Sequence, residues 1–148
     1  MLILIGIVFL FIEKLNKIKF NYIEEISYFT AFNIGMIQIF SLFPGVSRSG
    51  STIIAGLLLG LNKSVSIEYS FILSIPTTIS ATLYSLYKNY NLIFQLDIKI
   101  IFLSFILTLI LSIFFQKILI KFMNNHSLKI FGIYRILLGI IIILLFHK

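Results

Sequence analysis

Phe43-Pro44-Gly45-Val46-Ser47-Arg48-Ser49-Gly50-Ser51-Thr52 is a polar, turn-prone stretch set between apolar runs. Pro-Gly ends one helix and turns the backbone, and the hydroxyl-rich continuation starts another. An arginine within apolar sequence costs about 2.5 kcal/mol or more even on lenient insertion scales, so Arg48 ringed by hydroxyls needs a reason. Binding an anion supplies one. The first amides of the helix after the turn have no intrahelical acceptor, and the positive end of its dipole points the same way. Ser49 and Ser51 are candidate N-caps, and Gly50 permits close approach. Arg48 adds a planar, permanently charged fork matched to two phosphate oxygens, and Ser47 and Thr52 offer further hydroxyls. In a water-poor pocket such donors would stabilise charge on a phosphoryl group in transfer. The competing structural reading is a Ser/Gly-rich kink bonded to its own backbone, with Arg48 snorkelling to an interface.

Outward from that stretch the chain reads as membrane. Of its 148 residues 59% are hydrophobic and 11% charged, more apolar surface than one small globule can hide. Cysteine and tryptophan are absent, which excludes disulfides, thiolate metal sites and thiol nucleophiles. The net charge of +7 comes from cations that flank or separate apolar runs, with no basic face or motif of the kind that binds nucleic acid. Apolar runs cover 1–12, 67–87, 100–115 and 130–146. The last three approach spanning length, whereas 1–12 is cut short by Glu13 and Lys14. With neither a basic leader before it nor a small-x-small cleavage site after it, that run is expected to be the end of a truncated helix rather than a signal peptide.

Residues 28–61 read as helix, break, helix, with arms at 30–43 and 51–61 that are each too short to cross a bilayer. Irregular backbone at membrane depth is tolerated only where protein or a water-filled cavity surrounds it, so a re-entrant hairpin is expected. If 28–61 returns to its side of entry, seven lysines (Lys14, Lys17, Lys19, Lys63, Lys117, Lys121, Lys129) face three (Lys88, Lys99, Lys148). Full crossing would give six against four, so the positive-inside rule favours return, with the Lys14 and Lys117 loops cytoplasmic. The expectation is all-α: one domain over 1–148 with one re-entrant hairpin and about four transmembrane helices, one half of an inverted-repeat architecture.

The decisive stretch resembles the PGxSRSxxT signature of the undecaprenyl-diphosphate phosphatase family, also known as bacitracin-resistance proteins. The likeness extends to Met36-Ile37-Gln38-Ile39-Phe40, to Glu68-Tyr69-Ser70-Phe71-Ile72-Leu73-Ser74-Ile75-Pro76 and to Tyr134-Arg135, in order and spacing over nearly the whole chain. It implies a multi-pass inner-membrane enzyme that hydrolyses undecaprenyl diphosphate to the monophosphate and recycles the lipid carrier of peptidoglycan synthesis. It implies Arg48 as diphosphate clamp, Ser47, Ser49 and Thr52 as phosphate donors beside Gly45, Gly50 and Ser51, and Pro44 shaping the loop. It also implies two inverted halves, of which this chain resembles the second, and a divalent cation, Mg2+ or Ca2+. The glutamate-rich hairpin and Pro-x-Ser-Ser-Thr-Gly-His element of the first half have no match here. Gln38 stands where the other repeat has a glutamate, so no metal ligand is assigned. Activity is therefore expected to need a separately encoded first half or a homodimer. The alternatives are a non-catalytic binding or transport module for a polyprenyl phosphate, or a gene remnant.

Other residues carry structural expectations. Glu68 suits a helix start, with a salt bridge to Arg48 as its alternative. Glu24 and Glu25 suit a solvated loop. Arg135 is expected to snorkel beside Tyr134, with lipid phosphate as its alternative partner. Pro76 should kink its helix, with Thr77 and Thr78 bonding the freed carbonyls. His126 and His147 are expected to be solvated.

Overall fold

A computed structural model describes residues 1–90 and 97–146; His147 and Lys148 lie outside the described residues. Among those residues six α-helices follow one another without a strand: α1 (Leu2–Leu15), α2 (Tyr28–Gln38), α3 (Arg48–Leu58), α4 (Lys63–Lys88), α5 (Ile98–Asn125) and α6 (Lys129–Phe146). The all-α expectation holds.

α3 is the peg around which the others gather. At 11 residues it is only about 16 Å long, and Gly50 through Leu57 are all buried. Ile53, Ile54 and Leu57 pack with Phe9 and Ile12 of α1, Ile67 of α4, and Met123 and Leu128 at the α5–α6 junction. Its opposite side sets Ala55 against Ile34 of α2 and Val65 of α4. The outer arm α2 turns Phe29, Phe32 and Met36 outward.

The hairpin folds back on itself. α3 ends in a Schellman pattern, with Gly60 at φ +96°, its N–H donating to the Leu57 carbonyl at 3.2 Å, and Leu61 N–H to Gly56 at 2.9 Å. The Gly60 carbonyl then accepts from the amides of Lys19 (2.7 Å) and Phe20 (3.0 Å), and the Asn62 amide group donates to the Asn21 carbonyl at 3.0 Å. The hairpin thus leaves beside the loop by which it entered. Asn62 also caps α4, accepting from Val65 N–H at 2.8 Å.

Glu13 ties the same end together. Its carboxylate accepts from the Ser127 hydroxyl and from Leu128 N–H (3.0 Å), and pairs with Lys63 at 3.3 Å. Burial alone would raise its pKa; the three donors outweigh burial and hold it below the ordinary 4.5.

α1 and α6 make the most extensive helix pair. At their crossing a Cβ on Gly132 would lie 2.7 Å from the Gly6 carbonyl oxygen. Small residues allow two backbones this close.

α5 differs from the rest. Its 28 residues reach a mean hydropathy of 2.6 over an 18-residue window, none of it buried. Among the described residues it is the one helix long and apolar enough to cross a membrane. α1 has 14 residues, and serines and threonines at 64, 66, 70, 74, 77, 78, 80, 82 and 85 dilute α4.

The hairpin arms differ from the sequence expectation. The first runs as α-helix over Tyr28–Gln38 and tightens to a 3-10 turn over Ile39–Leu42, while the second begins at Arg48. The earlier start follows from Ser47 acting as the cap.

Candidate functional site

The tip of the hairpin is a turn followed at once by a helix start. Val46 N–H donates to the Phe43 carbonyl at 3.0 Å, and Gly45 sits at φ +86°. Proline then left-handed glycine at the two corners is the pattern of a type II turn, which a side chain at position 45 would strain. Arg135 of α6 donates from Nη2 to the Gly45 carbonyl and so braces the turn. This replaces snorkelling as its role.

Ser47 is the N-cap of α3: its Oγ accepts from Gly50 N–H at 3.1 Å and lies 3.2 Å from the Ser49 hydroxyl. Ser49 and Ser51, the residues expected to cap, lie inside the helix. Among the described residues the amides of Arg48 and Ser49 have no hydrogen-bond partner, as the first turn of a helix requires. Arg48 and Ser49 are exposed and Ser47 half-buried, so this part of the motif is reachable.

Ser51 and Thr52 depart from their expected place as phosphate donors. Both are buried, at 5% and 2% exposure. Ser51 donates to the Arg48 carbonyl at 2.8 Å. The Thr52 hydroxyl faces the Ser49 carbonyl at 3.0 Å and lies 2.6 Å from the Ser70 hydroxyl. Helix register explains this: residues four and five past the cap fall back over the preceding turn, where its carbonyls accept their hydrogens. They fasten α3 to itself and to α4.

Arg48 reaches α4, its Nη1 donating to Oγ1 of Thr77 at 2.7 Å and of Thr78 at 3.1 Å. The alternative salt bridge with Glu68 is not formed. Nine residues separate Glu68 from Thr77, which puts them on opposite faces of α4 and about 13 Å apart along its axis. Thr77 donates to the Leu73 and Ser74 carbonyls at 3.1 and 3.0 Å. The carbonyl that Pro76 leaves unpaired belongs to Ile72, one residue earlier.

On the other side of the motif lies a cavity of about 150 Å³. Ser47, Ser49, Gly50, Tyr134 and Arg135 form its polar end; Phe9, Ile53, Leu119, Met123 and Phe131 form its apolar wall. The buried Nε of Arg135 has no partner among the described residues. A polar end opening on an apolar wall suits an amphiphile.

The chain matches the family model described as bacitracin resistance protein BacA over residues 1–141. It belongs to that family. Curated relatives carry the name undecaprenyl-diphosphatase. The one from Wolinella succinogenes is 45% identical over 143 residues, covering 95% of this chain and 56% of its own length. The one from Campylobacter jejuni serotype O:23/36 is 44% identical over 152 residues, covering 100% and 57%. The one from Aquifex aeolicus is 43% identical over 143 residues, covering 95% and 56%. The chain thus spans little more than half the length of the curated relatives it matches. An apolar helix of spanning length agrees with a bacitracin resistance family member being a membrane protein.

A divalent cation does not fit the residues at the tip. The chain has five carboxylates. Glu13 is bound to Lys63 and Ser127, Glu25 accepts from the amides of Asn21 and Tyr22, and Asp97 caps α5. Glu24 and Glu68 share a surface hollow with Asn21 and Ser64. Among the described residues no three metal-ligating side chains gather. His126 is exposed and stacks on Phe122 with ring centroids 4.2 Å apart.

Proposed function

We propose that this chain supplies the phosphate-clamping part of an undecaprenyl-diphosphate phosphatase, which releases phosphate from the lipid diphosphate and leaves the monophosphate. The observation that carries this reading is the start of α3, which presents two unpartnered amides, the exposed Ser49 and the exposed Arg48, whose guanidinium is held against Thr77 and Thr78 of α4. Such donors recognise a phosphate and stabilise the charge that grows on it during transfer. Ser47 caps the helix that presents them, Pro44 and Gly45 set the turn, and Gly50 keeps the approach open. Membership of the family and the shared name of its relatives support the substrate class.

In this reading the domain is single over 1–148 and lies in the bacterial inner membrane as a multi-pass half of an inverted repeat. Its re-entrant hairpin is α2–α3. Thr77 stands 14 residues into α4, so the tip lies about 21 Å along a helix of about 39 Å, a depth that suits a site within the bilayer. The carboxylates for a divalent cation and for activating the nucleophile come from outside these residues.

Equilibrium binding of undecaprenyl diphosphate to the purified chain in detergent tests the clamp. Arg48→Ala is expected to weaken it about tenfold or more, because a charge-assisted bidentate contact is lost. Equal affinity in the two proteins would remove the basis of the proposal.

A further inference from the structure

Arg48 is held at one edge only. Both hydrogens of its Nη1 are engaged, by Thr77 at 2.7 Å and Thr78 at 3.1 Å. A guanidinium has five N–H donors, so the hydrogens on Nε and Nη2 remain along the other edge, in the fork geometry that matches two oxygens of one phosphate. The polarity of the tether is fixed from the α4 side. Thr77 has one hydroxyl hydrogen, which faces the Leu73 and Ser74 carbonyls at 3.1 and 3.0 Å, so a lone pair meets Arg48. Among the described residues no carboxylate pairs with Arg48, and its charge is left for an incoming anion.

We propose that Thr77 and Thr78 are positioning residues that grip Arg48 by Nη1 and aim its Nε–Nη2 edge at the phosphate of an isoprenyl diphosphate. The proposal rests on the clamp role given to Arg48 above. A long side chain at an exposed helix start samples many rotamers and loses them on binding; the two threonines remove that freedom beforehand. Adjacent residues on one helix suffice because Thr77 is half-buried and locked to its own backbone, while Thr78 closes the second hydrogen from the exposed side.

Arginine-selective 15N labelling reads the tether directly, since the chain has two arginines, Arg48 and Arg135. Arg48 should show slow, resolved Nη signals in the unaltered protein in detergent, averaged in Thr77→Val and resolved again in Thr77→Ser. Unchanged Arg135 signals report that the fold is intact. Binding of farnesyl diphosphate to the same proteins gives the second readout. Thr77→Val should weaken it about tenfold, Thr77→Ser should restore it to within about twofold, and Thr77→Val should add nothing to Arg48→Ala. Thr78→Val, which leaves the Thr77 backbone bonds in place, should cost about threefold. Full affinity in Thr77→Val beside a loss in Arg48→Ala would overturn the positioning role and leave the clamp standing. Equal affinity in Arg48→Ala and the unaltered protein, or none in either, would overturn the clamp and this proposal with it.

Discussion

Adding one methyl group at Gly132 is expected to destabilise the protein, and the same addition at Gly35 to stabilise it. A Cβ on Gly132 would stand 2.7 Å from the Gly6 carbonyl oxygen, 3.1 Å from Phe9 Cβ and 3.2 Å from Leu10 Cδ2. The nearest atom is backbone of a packed helix, so α1 and α6 must part along their crossing. Overpacking of this kind costs about 1–3 kcal/mol, and a contact with backbone belongs in the upper half of that range. Alanine recovers up to about 1 kcal/mol through helix propensity, which leaves a net loss of about 1–2 kcal/mol. At Gly35, inside α2, nothing lies within 4 Å of the added Cβ, so the propensity gain of about 0.5–1 kcal/mol stands alone. Reversible unfolding in detergent, followed by circular dichroism, measures both variants against the unaltered chain. Arg135 lies three residues beyond Gly132 on the same helix face, so Gly132→Ala should also loosen its grip on Gly45. A Gly132→Ala protein as stable as the original, or a shift of the same sign at both positions, would refute the reasoning.

Ser47→Ala removes the cap of α3 and should cost about 1 kcal/mol, whereas Ser47→Gly should cost a few tenths, measured by the same unfolding. Protonating Glu13 removes an ion pair. Because its folded pKa is depressed, its stabilisation is present above the ordinary 4.5 and is lost as pH falls through the lower folded value. Glu13→Gln should therefore lower stability at pH 7 and flatten the acid limb of stability against pH; an unchanged acid limb would count against it. Arg135→Ala frees the Gly45 carbonyl, and hydrogen exchange at the Val46 amide should quicken about tenfold if the brace holds the turn.

The break at Pro44-Gly45 and the helix after it were legible because the turn needs a left-handed corner that glycine supplies. The cap was not, since Ser47, Ser49 and Ser51 are chemically equal candidates and only the geometry of the Gly50 amide chooses among them. Ser51 and Thr52 looked like donors by residue type, yet helix register turns their hydroxyls onto their own carbonyls. The contacts that complete the site span the chain: Arg48 to Thr77 over 29 residues, Gly45 to Arg135 over 90, Glu13 to Leu128 over 115. Apolar periodicity shows that a helix has a buried side but not which neighbour it meets. One signal was available: Glu68 and Thr77 lie half a turn apart in register, which rules out a shared partner at the tip.

The Schellman turn at Gly60 and the cap at Asn62 stand at the far end of α3 from the motif, and they set where the motif points. A rod of about 16 Å fixed at its base moves its free end by about 1.4 Å for each 5° of tilt. A misplacement of about 1 Å can cost a hundredfold in rate. Gly60 hangs the rod from Lys19 and Phe20, and Asn62 from Asn21. Drift at these five loop positions would silence the molecule while every residue from Phe43 to Thr52 stayed in place, so an intact signature is no guarantee of a working one.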